Sequence, residues 1–181
     1  MATRQQQIDF VKKIYPAAKR LHDNDPENTL NPLFVTAQAA LETGWKIRGI
    51  DNNIFGITVG SSWTGDRKLV QTTEIFSRPN VTFKAPEEVL SVVPIGDGRY
   101  RYSVKRFFRV YDSLEDCLAD HLSLLKKPMY ADAWAYKNDP IEYAKRLVDD
   151  TGAKYATAPN YAQVMASMIK QVEKIVNDNG L

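Results

Sequence analysis

Ala37-Gln38-Ala39-Ala40-Leu41-Glu42-Thr43-Gly44-Trp45, with Asp51-Asn52-Asn53-Ile54-Phe55-Gly56-Ile57 shortly after it, is the stretch whose reading decides the fold. Asn31-Pro32 starts a helix ahead of it, because Asn caps free N–H groups and Pro suits the first helical position. The helix runs from Leu33 to Thr43 and stops at Gly44, a residue suited to the left-handed cap. Ala37, Ala39 and Ala40 let neighbouring elements approach closely, so this helix is expected to be buried on most sides. Glu42 then sits at the edge of the core. Desolvation disfavours a charged carboxylate, so a proton donor is built in such a place. A Glu at a helix end is also the ordinary place for a solvated charge, and the rest of the chain has to decide between the two.

Upstream, Ile8, Val11, Ile14, Tyr15, Ala18 and Leu21 recur at helical spacing over about 4–22, with Pro16 expected to kink or break the helix. Residues 23–28 are loop chemistry, and 49–65 is irregular and Gly-rich, with Trp63 at a turn. Leu69 to Phe76 has the β-branched content of a strand. Val81-Thr82-Phe83 and Val89 to Val93 are further strand candidates, with Pro94 confining the second to an edge. Gly96-Asp97-Gly98 signals a hairpin into Arg99-Tyr100-Arg101-Tyr102-Ser103-Val104. Residues 68–110 thus read as a small antiparallel β-lobe.

Ser113 with Asp116 resembles a capping box and opens a helix to about Lys126, with Leu114, Cys117, Leu118, His121, Leu122 and Leu125 on one face. A short helix over about 130–137 follows, then one from Asp139-Pro140 to near Gly152. The last runs from about Asn160 to Asn177 on a stripe of Tyr161, Val164, Met165, Met168, Ile169, Val172 and Ile175/Val176. The expected class is α+β, mostly helical, with the β-lobe inserted in the first half.

The 181 residues fit one domain with a small lobe and can bury a sizeable core. Apolar residues at 44% and charged residues at 25% are ordinary for a globular protein. With 24 Lys and Arg against 22 Asp and Glu, the charge balance does not suggest a nucleic-acid binder. The single Cys117 excludes an intrachain disulfide framework. Met1 to Gln7 lacks the apolar core of a secretion signal, and no run approaches membrane-spanning length. The expectation is a protein made in the cytoplasm without a leader.

Two carboxylates could carry chemistry, Glu42 on its helix and Glu74 in Thr72-Thr73-Glu74. Cutting a glycosidic bond needs an acid for the leaving oxygen, and either a second carboxylate or an assisting substrate group on the other face. For Glu74, a solvent-facing strand residue is an equal reading. Trp63, Tyr100, Tyr102, Trp134 and Tyr155 have ring faces that suit a pyranose. His22 and His121 stand in unrelated contexts, so neither a metal site nor a His-based nucleophile is expected, and Cys117 reads as structural. No phosphate loop or cofactor motif is present. Arg99, Arg101, Lys105, Arg106 and Arg109 read as a solvated basic face able to help hold an anionic polymer.

Taken together, Ala37–Trp45, Asn52–Ile57 and Trp63-Thr64-Gly65 resemble the signature of the flagellar-type β-N-acetylglucosaminidases of glycoside hydrolase family 73, which are peptidoglycan hydrolases. Thr72-Thr73-Glu74, Phe107 to Ser113 and Lys154 to Ala162 resemble further family segments in the same order, so the resemblance spans about 8–175. It implies a lysozyme-like helical lobe facing a β-lobe across a glycan groove, the whole chain forming one catalytic domain. Glu42 matches the general acid, Glu74 the distal base, and Tyr155 the tyrosine that steadies the sugar. Asn53, Phe55, Trp63 and Tyr161 fall on segments expected to contact substrate. Lys46 replaces a frequent glycine, Ala158 replaces an Asp before Pro159, and 77–104 is longer than in compact members.

The implied activity is hydrolysis of peptidoglycan after N-acetylglucosamine, without cofactor, by a monomer acting on glycan strands in the periplasm or cell wall. Nucleic acid and membrane insertion have no part in it, and delivery falls to a phage or a secretion machine. Alternatives are a lytic transglycosylase or muramidase on a related fold, which needs only the helix Glu in the first case, and a non-catalytic cell-wall-binding component.

Overall fold

The computed structural model describes residues 2–47, 49–149 and 160–181. The chain forms two compact units, Met1–Arg48 with Asp112–Leu181, and Gly49–Tyr111. The first is helical and the second is built on a sheet.

In the helical unit, α1 (Arg4–Asn24) is opened by Thr3, whose hydroxyl accepts from the Gln6 N–H while the Gln6 side chain accepts from the Thr3 N–H. Pro16 does not break α1, which continues to Asn24. Its buried residues Phe10, Val11, Ile14, Ala17 and Ala18 repeat at the three- and four-residue steps of one face, and that burial holds the helix across the lost backbone bond.

Helix α2 (Pro32–Thr43) starts as the sequence implies, with the Asn31 side chain accepting from the Leu33 N–H and Pro32 in the first turn. Residues Phe34 to Ala40 are all buried, because α2 packs against α1 and α6 (Tyr161–Asn179). It ends at Gly44 in the left-handed region, φ 61°, where nothing would obstruct a Cβ, so the backbone conformation alone favours glycine. Trp45 follows at φ 63°, costly for a bulky residue, and packs edge-on against Phe10 at 5.7 Å. Lys46 has no left-handed backbone, so its replacement of a glycine brings no strain.

Helix α3 (Leu114–Ser123) is capped by Ser113, which accepts from the Asp116 N–H. The reciprocal half of the box is missing: Asp116 is too short for the Ser113 backbone and instead accepts from the Ser113 hydroxyl at 2.7 Å. Two 3-10 turns, Leu124–Lys126 and Pro128–Tyr130, lead into α4 (Ala131–Trp134) and α5 (Pro140–Asp149). Cys117 is buried on the core face of α3.

In the second unit, β1 (Arg67–Phe76), β2 (Glu88–Gly96) and β3 (Arg99–Arg109) form an antiparallel sheet in the order β1-β3-β2. Pro94 therefore lies on an edge strand, as a residue without an N–H must. Gly96, Asp97 and Gly98 all have positive φ and turn β2 into β3. Val81-Thr82-Phe83 is not a strand: the segment lies against the sheet instead, with the Val81 N–H donating to the Tyr102 hydroxyl. The unit also begins earlier than the strand pattern suggests. Residues 57–59 pair with the end of β3, the Val59 N–H donating to Phe107 and the Arg109 N–H to Ile57. The α+β class, mostly helical with one small antiparallel sheet, is the observed one.

Candidate active site

Glu42 stands in the last turn of α2 with its side chain 37% exposed. This is more open than a buried helix implies, because the buried face of α2 ends at Ala40 and Glu42 points away from it. One of its oxygens, Oε2, lies 3.1 Å from Nε2 of His121. His121 belongs to α3 of the same unit, and its side chain is only 9% exposed. Beside it, the Thr43 hydroxyl turns back to donate to the Ala39 carbonyl at 2.7 Å. The helix end thus presents a carboxyl group that solvent reaches and that a buried imidazole contacts.

Glu74 lies near the end of β1, two residues before Phe76, opposite Tyr102 of β3. Alternation along β1 puts Val70, Thr72, Glu74 and Phe76 on the half-buried face. Glu74 is therefore not a solvent-facing strand residue. Both its oxygens accept from Nη1 of Arg106, at 3.2 and 3.3 Å. Arg106 also donates through Nε to Glu87 at 3.0 Å, and its guanidinium lies over the Phe83 ring at 4.2 Å. Glu87 in turn accepts from the Phe107 N–H. Arg106 is thus the hub of a network with two carboxylates, and the basic stretch is not uniformly a solvated face.

The remaining expected contacts divide by burial. Asn53 is fully buried: its amide donates to the Ile57 and Arg109 carbonyls, and its oxygen accepts from the Ile57 N–H. Those bonds hold the loop, and the side chain has no open surface of its own. Tyr161, at the first turn of α6, is buried in the helical unit. Tyr102 is likewise core, its hydroxyl donating to the Arg78 carbonyl at 2.6 Å. Trp63 is half-buried, with its indole N–H donating to Asp66, its ring against Tyr111, and the Arg109 guanidinium over it at 4.6 Å. Phe55 is half-buried in the same loop. Tyr155 lies outside the described residues.

Among the described residues no group of three or more His, Cys, Asp or Glu side chains could hold a metal ion. His121, Arg106 and Glu87 are the residues that sequence reading passed over as site elements. His121 lies 79 positions from Glu42 and had been assigned to an apolar stripe. Arg106 meets Glu74 only through the register of β1 on β3.

A mostly helical α+β fold whose buried helix ends on a half-open carboxyl group belongs to the lysozyme-like class, and comparison with known proteins narrows it. Residues 18–174 match the model of the glucosaminidase family, described as mannosyl-glycoprotein endo-beta-N-acetylglucosaminidase. The peptidoglycan hydrolase FlgJ of Escherichia coli (strain K12) is 31% identical over 150 residues, covering 78% of this chain and 40% of that protein. The FlgJ protein of Pseudomonas aeruginosa is 29% identical over 173 residues, covering 91% of this chain and 36% of that protein. The chain spans well under half the length of the curated relatives it matches.

Among solved structures, a C-terminally truncated glycoside hydrolase domain of Salmonella typhimurium FlgJ is similar with a TM-score of 0.64 at 30% identity, covering 93% of this chain and 98% of that one. A peptidoglycan hydrolase from Sphingomonas sp. A1 has a TM-score of 0.56 at 30% identity, covering 94% of each chain. The chain belongs to the glucosaminidase family, in the flagellar-type branch of glycoside hydrolase family 73.

Proposed function

We propose that this chain hydrolyses the peptidoglycan glycan strand at the β-1,4 bond after N-acetylglucosamine, with Glu42 as general acid. The observation that carries the reading is the Glu42 carboxyl group itself, open to solvent at the end of a buried helix and fixed by His121. The family match and the peptidoglycan hydrolases among the relatives support the substrate class.

In this scheme Glu42 gives its proton to the glycosidic oxygen as the bond to the anomeric carbon breaks. The positive charge developing there is met from the other face, either by a water that Glu74 activates or by the 2-acetamido oxygen of the substrate. One feature of Glu74 favours the second route. Both its oxygens already accept from Arg106, which leaves fewer lone pairs to take a proton from water.

The same reading makes the whole chain one catalytic domain with Gly49–Tyr111 as its β-lobe, acting as a monomer and without cofactor in the periplasm or cell wall. No helix among the described residues is long and apolar enough to cross a membrane.

Mass spectrometry of digested peptidoglycan tests the proposal. Products ending in reducing N-acetylglucosamine are expected. Reducing N-acetylmuramic acid would show a muramidase instead, and an anhydro-muramic end a lytic transglycosylase; either overturns the bond assignment. An unchanged polymer overturns the activity.

A further inference from the structure

We infer that His121 is the positioning residue of Glu42, holding the acid's carboxyl group in the orientation that the reaction uses. The inference rests on the proposed role of Glu42 and adds to it a second residue that acts only through the first.

The physical argument begins with freedom of rotation. A glutamate has three side-chain torsions, so the orientation of its carboxyl group depends on the groups that hold it. The neighbouring polar side chain does not help, since the Thr43 hydroxyl is spent on the Ala39 carbonyl. His121 is the opposite case. Its ring is buried on the core face of α3, with Cys117 one turn before it, Leu125 one turn after it, and Leu118 and Leu122 beside it. That face packs against α1. The imidazole meets the acid through Nε2, at 3.1 Å from Oε2. A rigid, buried group therefore holds one oxygen of the carboxyl group.

Imidazole suits this task better than a permanently charged side chain. A neutral ring with its proton on Nε2 donates to Oε2 both while the acid's own proton sits on the other oxygen and after that proton has left. The contact can thus persist on both sides of the proton transfer. A lysine or arginine in the same place would bring a permanent positive charge, which favours the carboxylate that has already lost its proton.

The test compares His121→Leu, His121→Gln, His121→Asn, Glu42→Gln and the double variant His121→Leu/Glu42→Gln on peptidoglycan, with a thermal melt of each. Gln places an amide N–H near the position of Nε2, whereas Asn is too short to reach it. The expected result is a loss of about tenfold to a hundredfold in kcat for His121→Leu and His121→Asn, as for other misplaced catalytic groups. KM should change by no more than about twofold, and His121→Gln should recover to within about fivefold of wild type. The double variant should be no worse than Glu42→Gln, because His121 has nothing left to position.

Wild-type kcat in His121→Leu, with Glu42→Gln inactive, overturns this inference and leaves the acid assignment standing. Gln and Asn variants impaired alike also overturn it, since packing would then account for both. Full activity in Glu42→Gln overturns the reading on which the inference rests.

Discussion

Glu42 leaves the end of a buried helix and meets an imidazole, whereas Glu74 leaves a strand near its end and meets a guanidinium shared with Glu87. The two scaffolds hold their carboxyl groups to different ends. Arginine is charged at every accessible pH, so Glu74 is tied to a fixed counter-charge in a network where each member supports the others. The imidazole can be neutral, and the Glu42 contact can then outlast a change of protonation. The helix-borne carboxyl group is thus met by an imidazole and the strand-borne one by a permanent guanidinium charge.

The largest expected effect separates the two directly. Glu42→Gln should lower peptidoglycan cleavage by about 10²–10⁴-fold, the usual weight of a general acid, with an unchanged melting temperature. Glu74→Gln should cost clearly less. Equal losses, read from the rate of muropeptide release, would break the comparison and put both carboxylates into the chemistry.

Two stability measurements sharpen the picture of the sheet unit. Asn53→Ala removes three hydrogen bonds from a sealed loop and strands the Arg109 and Ile57 backbone groups, a cost of about 3 kcal/mol by denaturant titration. A loss within experimental error would show that the loop is not held by this amide. Arg106→Gln should cost about 2 kcal/mol, since Glu74 and Glu87 lose their common counter-charge in a site that is only partly open. No change in denaturation midpoint would mean that the network contributes nothing to the fold.

The smallest effect belongs to the helical unit. Burial pushes the Tyr143 phenol above its ordinary value of 10.0, and no hydrogen bond satisfies its hydroxyl. The folded protein therefore keeps a proton that the unfolded chain gives up above about pH 10, and stability falls as pH rises past that point. Tyr143→Phe removes the stranded hydroxyl and should gain about 1 kcal/mol at neutral pH while flattening the alkaline loss. A melt of this variant that tracks wild type from pH 8 to 11 would contradict the assignment.

Much of the helical unit could be read in advance because its signals are local. Asn31-Pro32 and Gly44 bound α2, and the apolar stripes of α1, α3 and α6 name their buried faces. Pro94 announced an edge strand for the same reason, as a residue that lacks one donor. The site was legible only in part. Glu42 stood out as a carboxylate in apolar company, yet its real exposure depends on which way the final turn of α2 faces. Asn53 and Tyr161 are both buried, which their residue types alone do not announce.

By itself, the chain determined where helices start and stop, which faces they bury, and the family signature around Glu42. Those are properties of neighbouring residues, set by capping, backbone freedom and hydrophobic spacing. Tertiary structure alone decided that His121 grips Glu42 across 79 positions, that Arg106 joins Glu74 to Glu87, and that Asn53 is sealed. Each of these depends on how separate elements pack and on strand register, and a distance between elements has no local code.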